Sequence, residues 1–250
     1  MRTQARALLV ACALPAFGVD VLALDLSTKH DPSTTASALT TNPAFPLKVS
    51  ANNRCLVDRD GAPFLMAGDS PQSLIGNLSE DEAAAYVANR ETYGINALWI
   101  NLLCNAGSGC GSDGATADGL VLFTVPGNLS TPNPAYFFRR AEDVIRLADK
   151  RGMVVILDPI ETVGCLGTLR ANGVTNAYGY GQYLGNRYRD VPNTIWMHGN
   201  DFQSSQDSDD RSLVQVVARG IRDANPNHLH AVELNFLTSG SLERSLPRIG

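Results

Sequence analysis

The chain has 250 residues, 44% hydrophobic and 18% charged, the make-up of one globular domain with length enough to bury a full core. Lys+Arg is 20 against 25 for Asp+Glu, so the formal net charge is -5, which disfavours an electrostatically driven nucleic-acid binder, since that needs a basic stripe. No run of about 18 apolar residues follows residue 30, so no membrane-spanning helix is expected in the body of the chain. Arg2 and Arg6 precede an apolar stretch that ends at Val21-Leu22-Ala23. This is the layout of a secretory signal peptide over residues 1–23. The apolar run before Cys12 is too short for a lipoprotein signal. Residues 24–46 are rich in Ser, Thr, Ala and Pro and read as a linker. A secreted or periplasmic protein is therefore expected, with a folded body over 47–250.

Four cysteines lie in that body: Cys55, Cys104, Cys110 and Cys165. An even count in an exported chain permits disulfides, and Cys104 and Cys110, flanking a short Gly-rich loop, are the candidate pair. Zinc would need about four clustered ligands, and no histidine lies near these cysteines.

The body alternates strands and helices. Residues 64–67 form a short apolar run ending in Gly68-Asp69. Ser79 with Glu82 is a capping box that opens a helix, and Gly94 closes it. A buried strand follows over 97–103, then a long glycine-rich loop to residue 132. Asn133-Pro134 starts a helix whose apolar residues Phe137, Ala141, Val144, Ile145 and Ala148 recur at spacings of three and four. Residues 153–157 are a strand ending in Asp158, and a Gly- and Tyr-rich helix runs to about Asp190. A fourth strand, 194–197, ends in Gly199-Asn200-Asp201. A helix over about 209–224 and a fifth strand, 229–234, complete the series. The Asp207–Asp210 run reads as a solvated helix start.

Continuous apolar strands separated by helices predict a parallel sheet covered on both faces, in an α/β fold. The choice lies between an open doubly wound sheet and a (β/α)8 TIM barrel. Gly109, Gly111 and Gly114 match a phosphate-loop spacing, but no helix opens behind them, so the spacing has lost its mechanism and the barrel is preferred.

A barrel places its chemistry at the C-terminal ends of its strands. Those ends carry Asp69, Asn101, Asp158 with Glu161, Asn200-Asp201, and Glu233. For any one of them helix capping is an equal explanation. Five polar strand ends near Trp196, His198 and several tyrosines point instead to sugar chemistry, which needs one carboxyl group to protonate the leaving oxygen and a second to stabilise or attack the oxocarbenium centre. Asp201 is the candidate acid/base, with Trp196 expected to raise its pKa by partial burial. Asp69, Asn101, Asp158, Glu161, Trp196, His198, Asn200 and Glu233 are the candidate substrate-binding residues. No G-x-S-x-G nucleophile elbow is present. His228 and His230 are spaced as a same-face pair, but near the start of their strand, so no metal site is assigned. The sequons at Asn77 and Asn128 carry little weight, since Ser79 already caps a helix.

At this level of detail residues 47 to about 236 resemble the apiosidase-like glycoside hydrolases. The resemblance rests on the hairpin segments Leu47-Lys48-Val49-Ser50, Leu56-Val57-Asp58 and Asp60-Gly61-Ala62-Pro63-Phe64, and on Gly68-Asp69-Ser70. It continues through Ala117-Asp118-Gly119, Thr131-Pro132-Asn133-Pro134-Ala135-Tyr136-Phe137, Leu157-Asp158-Pro159 with Glu161-Thr162, and Arg187-Tyr188. The most specific segment is Asn193-Thr194-Ile195-Trp196-Met197-His198-Gly199-Asn200-Asp201-Phe202. The resemblance implies a (β/α)8 barrel that cleaves glycosidic bonds in plant or microbial oligo- or polysaccharides. It also implies a small N-terminal β-hairpin, Asp201 as acid/base, a nucleophilic glutamate on a late strand, and no cofactor.

Only five strand–helix units can be counted, against the eight of a closed barrel, so an N-terminal portion of such an enzyme is expected, with the nucleophile beyond residue 250. The remaining expectations are a monomer, no nucleic-acid partner and no membrane span. The alternatives are a carbohydrate-binding barrel without catalysis and a metal-dependent hydrolase.

Overall fold

The computed structural model describes residues 42–103, 115–202 and 208–234, and the side chains of Phe138, Val163, residues 201–208 and Leu234 are not among those described. The expected signal peptide, most of the expected linker, and the candidate disulfide pair Cys104 and Cys110 lie outside the described residues.

The body opens with three short antiparallel strands, β1 (Lys48–Val49), β2 (Leu56–Val57) and β3 (Pro63–Phe64), in the order β1-β2-β3. The expected hairpin thus gains a third strand. Asp58 organises it: the carboxylate accepts the backbone N–H groups of Ala44, Asp60 and Ala62, and these bonds hold its pKa below the usual carboxylate value. Phe45 and Leu47 are buried and pack against Ala97, Val154 and Ile195. The last residues of the expected linker therefore belong to the fold, because an apolar Phe45 finds the open bottom of the main sheet.

That sheet has five parallel strands in sequence order: β4 (Gly68–Asp69), β5 (Ala97–Asn101), β6 (Val154–Asp158), β7 (Thr194–Phe202) and β8 (Leu229–Leu234). Consecutive parallel neighbours with helical crossovers make it a partial TIM barrel. The first strand is short and sits at Gly68–Asp69 rather than over the apolar run 64–67, part of which pairs with the N-terminal sheet.

Helix α1 (Leu74–Asn77) is a single turn not expected from the sequence, whereas α2 (Glu80–Thr92) begins at the expected capping box. There Ser79 Oγ accepts the Glu82 N–H at 3.3 Å and Glu82 accepts the Ser79 N–H at 2.9 Å. Gly94 ends the helix at a φ of 73°. The helix expected from Asn133-Pro134 begins as a π-helix over Ala135–Ala141 before α3 (Glu142–Asp149). The consecutive aromatics Tyr136 and Phe137 are both buried there, with ring centroids 5.1 Å apart. Helix α4 (Thr162–Arg187) is kinked at Gly173, whose φ is 70°. Helix α5 (Ser208–Ala224) packs along it.

Side chains alternate between the two faces of each strand. Leu98, Ile100, Val155, Leu157 and Trp196 join the core formed with α2 to α5. This is the outer face. Ala97, Val154 and Ile195 share the other, inner face and meet Phe45 and Leu47 at its lower end. The Asp207–Asp210 run corrects one expectation. Asp210 is buried, and its Oδ1 accepts Arg170 Nε at 2.7 Å. The pair fastens the start of α5 to α4, so this residue is a structural ion pair rather than a solvated charge.

Candidate active site

The register decides which strand-end residues meet. Asn101 lies directly opposite Asp158 across β5 and β6. Alternation from Ala97 and Val154 puts both on the inner face. Leu229 pairs with Ile195, so Glu233, four residues further along β8, points to the same face. Asn101, Asp158 and Glu233 therefore gather at the C-terminal end of the inner face, as a barrel active site requires.

Burial makes this cluster chemically unusual. Asn101 is 1% exposed, and neither of its amide atoms has a hydrogen-bond partner among the described residues. Asp158 is fully buried; its Oδ1 accepts the Ile160 N–H at 3.0 Å and its Oδ2 has no partner among the described residues. Burial pushes the Asp158 carboxyl well above the usual carboxylate range; the Ile160 N–H opposes this, while the charges of Glu161 and Glu233 add to it. Orphaned buried polar atoms are costly in a folded chain and mark sites that a ligand or water completes.

Glu161 and Asn200 join the cluster from its edge. Glu161 caps α4, its Oε2 accepting the Gly164 N–H at 2.9 Å. Its Oε1 accepts Asn200 Nδ2 at 3.3 Å, and both residues are buried. Asn200 sits in an irregularity of β7, where the ladder to β8 breaks between His198 and Phe202. Asp201 is the next residue of that segment; its side chain is not among those described.

Three expected members turn elsewhere. Asp69 pairs with Leu98 and so lies on the outer face. It accepts the Tyr86 hydroxyl at 2.7 Å and Arg90 Nη1 at 3.1 Å, tying β4 to α2. Trp196 is fully buried on the outer face beside Tyr188, with ring centroids 5.9 Å apart. Its place in the strand alternation directs it into the helix layer, away from the inner-face cluster. His198 shares that face and stacks on His230, with Nε2 and Nδ1 3.0 Å apart. Burial lowers the His198 pKa to about 3 and that of His230 to about 4, so both are neutral near pH 7. His228 precedes β8 and lies 3.2 Å from Asn225 Nδ2, so His228 and His230 take different partners. Among the described residues no three His, Cys, Asp or Glu side chains group as a metal site.

One inner-face residue was missed. Trp99 alternates with Leu98 and Ile100 and stands two residues before Asn101, and its buried Nε1 has no partner among the described residues. The two-residue period of the strand carries this signal, since Trp99 and Asn101 must share a face.

Asp158→Asn should raise the thermal unfolding midpoint at pH 7. The unfolded carboxyl ionises above about pH 4, whereas burial raises the pKa of the folded one, which holds its proton to higher pH. Stability from this group is therefore full below pH 4 and falls as pH rises towards the folded pKa. The gain on substitution should vanish near pH 3. A lower midpoint at pH 7 would mean that the native carboxylate is charged and paired.

A partial α/β barrel with buried carboxyl groups at its strand ends defines the class. The chain belongs to a family within it: the model of the apiosidase-like catalytic domain matches residues 50–245. Among solved structures, one described as a glycoside hydrolase is 26% identical, with a TM-score of 0.66 over 78% of this chain and 41% of its own length. A glycoside hydrolase family 5 protein from Bacteroides vulgatus has the same fold at 24% identity, with a TM-score of 0.65 over 76% of this chain and 40% of its own. The chain thus spans about two fifths of the length of these structures. No curated protein matches it.

Proposed function

We propose that the chain carries part of the catalytic apparatus of a secreted glycoside hydrolase acting on plant or microbial oligo- or polysaccharides. The observation that carries this reading is the gathering of Asp158, Glu161 and Glu233 with two amides, Asn101 and Asn200, at the strand ends of an apiosidase-like domain. Carboxyl groups and amides gathered on one face suit a polyhydroxylated ligand: each can accept from one hydroxyl, and the amides can donate to another. Trp99 supplies an apolar face beneath them. In this reading Asp201 is the general acid/base. It protonates the leaving glycosidic oxygen while a second carboxylate stabilises or attacks the oxocarbenium centre, and Asn200 holds a sugar hydroxyl.

The test is hydrolysis by the purified protein of aryl glycosides spanning pentoses and hexoses in both anomeric configurations, followed by release of the aglycone. Release from one sugar class supports the reading. Saturable binding of an oligosaccharide with no product after prolonged incubation would mean a carbohydrate-binding barrel, and neither binding nor product would overturn both.

A further inference from the structure

Strand β7 leaves its ladder just where the proposed chemistry sits. His198 pairs with Val232 and Phe202 with Leu234, so Gly199, Asn200 and Asp201 together face Glu233 alone. Gly199 has a φ of 128° and Asn200 a φ of 60°. Left-handed backbone is uncommon outside glycine, with asparagine among the residues that adopt it most readily. Regular alternation would send Asn200 to the outer face with His198. The irregularity turns it to Glu161 instead.

What holds the irregularity is visible on the β6–α4 connection. Thr162 is buried, and its hydroxyl reaches two carbonyls of the bulge, donating to Gly199 O and lying 2.9 Å from Asn200 O. Glu161 forms a parallel bridge with Gly199 beside it. The hydroxyl thus supplies a donor to the backbone of the bulge, beside the break in the ladder to β8. A buried carbonyl without a donor is costly, so removing that hydroxyl destabilises the bulge relative to regular pairing.

We infer that Thr162 is a positioning residue, whose hydroxyl holds the Gly199–Asn200 bulge and so sets the places of Asn200 and Asp201 in the site. The role of the bulge in catalysis rests on the proposed function, whereas its dependence on Thr162 does not.

Two variants and two readouts separate these. Thr162→Val keeps the shape and removes the donor; Thr162→Ser keeps the donor. In a crystal structure of Thr162→Val, Asn200 should leave positive φ and lose its bond to Glu161, whereas Thr162→Ser should keep both. In the same proteins, assayed well below their unfolding midpoints on any glycoside the parent cleaves, kcat should fall about 10–100-fold in Thr162→Val with KM little changed, and Thr162→Ser should restore most of it. A Thr162→Val structure with the bulge intact, or a folded Thr162→Val with full kcat, overturns the inference. If Thr162→Val does not fold, Thr162→Ser decides: a lost bulge there overturns it, and a retained bulge with the serine hydroxyl on both carbonyls supports it. If the parent cleaves no glycoside while Thr162→Val still loses the bulge, the positioning role stands and the proposed function falls.

Discussion

Asp201→Asn should reduce kcat on a glycoside with a poor leaving group by roughly 100- to 10,000-fold, the usual contribution of a positioned general acid. Asparagine matches aspartate in shape, so the fold and the local backbone should persist, and what disappears is the transferable proton. The loss should therefore depend on the leaving group. An alkoxide is expelled only with a proton, whereas a nitrophenolate departs nearly unaided. On an activated aryl glycoside Asp201→Asn should thus retain far more of its glycosylation rate than on an alkyl glycoside. Equal losses on both would assign Asp201 a role other than proton donation, and full activity on the alkyl glycoside would remove it from the mechanism. The neighbouring Asn200, turned towards Glu161 by the bulge, provides a comparison: it has no proton to transfer, so its substitution should leave the leaving-group dependence unchanged.

Gly181→Ala should destabilise the protein by about 1–3 kcal/mol, the usual cost of overpacking, and Gly185→Ala should do the same. Helix propensity alone predicts the opposite sign, since alanine in a helix interior is favoured over glycine by about 0.5–1 kcal/mol. Tertiary packing wins because α4 and α5 meet backbone to backbone. A Cβ built on Gly181 would stand 2.3 Å from Val217 O, and one on Gly185 would stand 2.4 Å from Ile221 O. From the other helix, a Cβ on Gly220 would stand 2.4 Å from Tyr178 O. These are backbone atoms, so no side-chain rotation can relieve the overlap, and the helices must separate. Separation would loosen the layer that supports β7, the strand carrying Asn200 and Asp201. Gly179 is the internal control, as it lies on the same helix with nothing within 4 Å of its added Cβ. Gly179→Ala should be neutral or stabilising. At about 2–4 °C per kcal/mol for a protein of this size, thermal unfolding resolves the difference. A rise in midpoint for Gly181→Ala would show that propensity outweighs the packing.

Most of the fold was legible in the chain because its signals are local. The Ser79–Glu82 capping box and the apolar runs at 97–103 and 153–157 each act over a few residues. The alternation of strands and helices then left few topologies to consider. The site was legible only in part. That Asn101, Asp158, Glu161 and Glu233 stand at strand ends follows from the chain, but a strand end has two faces. Asp69, Trp196 and His198 share the outer one. The fate of Trp196 turned on register: its pairing with Leu157 commits it to the helix layer, and no property of the tryptophan itself announces this.

The sequence by itself determined the α/β class, the strand order and the family, since periodicity, caps and motif spacing are properties of neighbouring residues. Tertiary structure alone decided which polar side chains converge. Asn101 meets Asp158 because two strands separated by more than 50 residues pair in one register rather than the next, and a slip of one residue would send either side chain to the other face. Likewise Asn200 meets Glu161 where β7 leaves its ladder and Thr162, from another element, bonds the same stretch of backbone. Such pairings depend on long-range packing, where burial of the whole layer sets the geometry and no local signal records it.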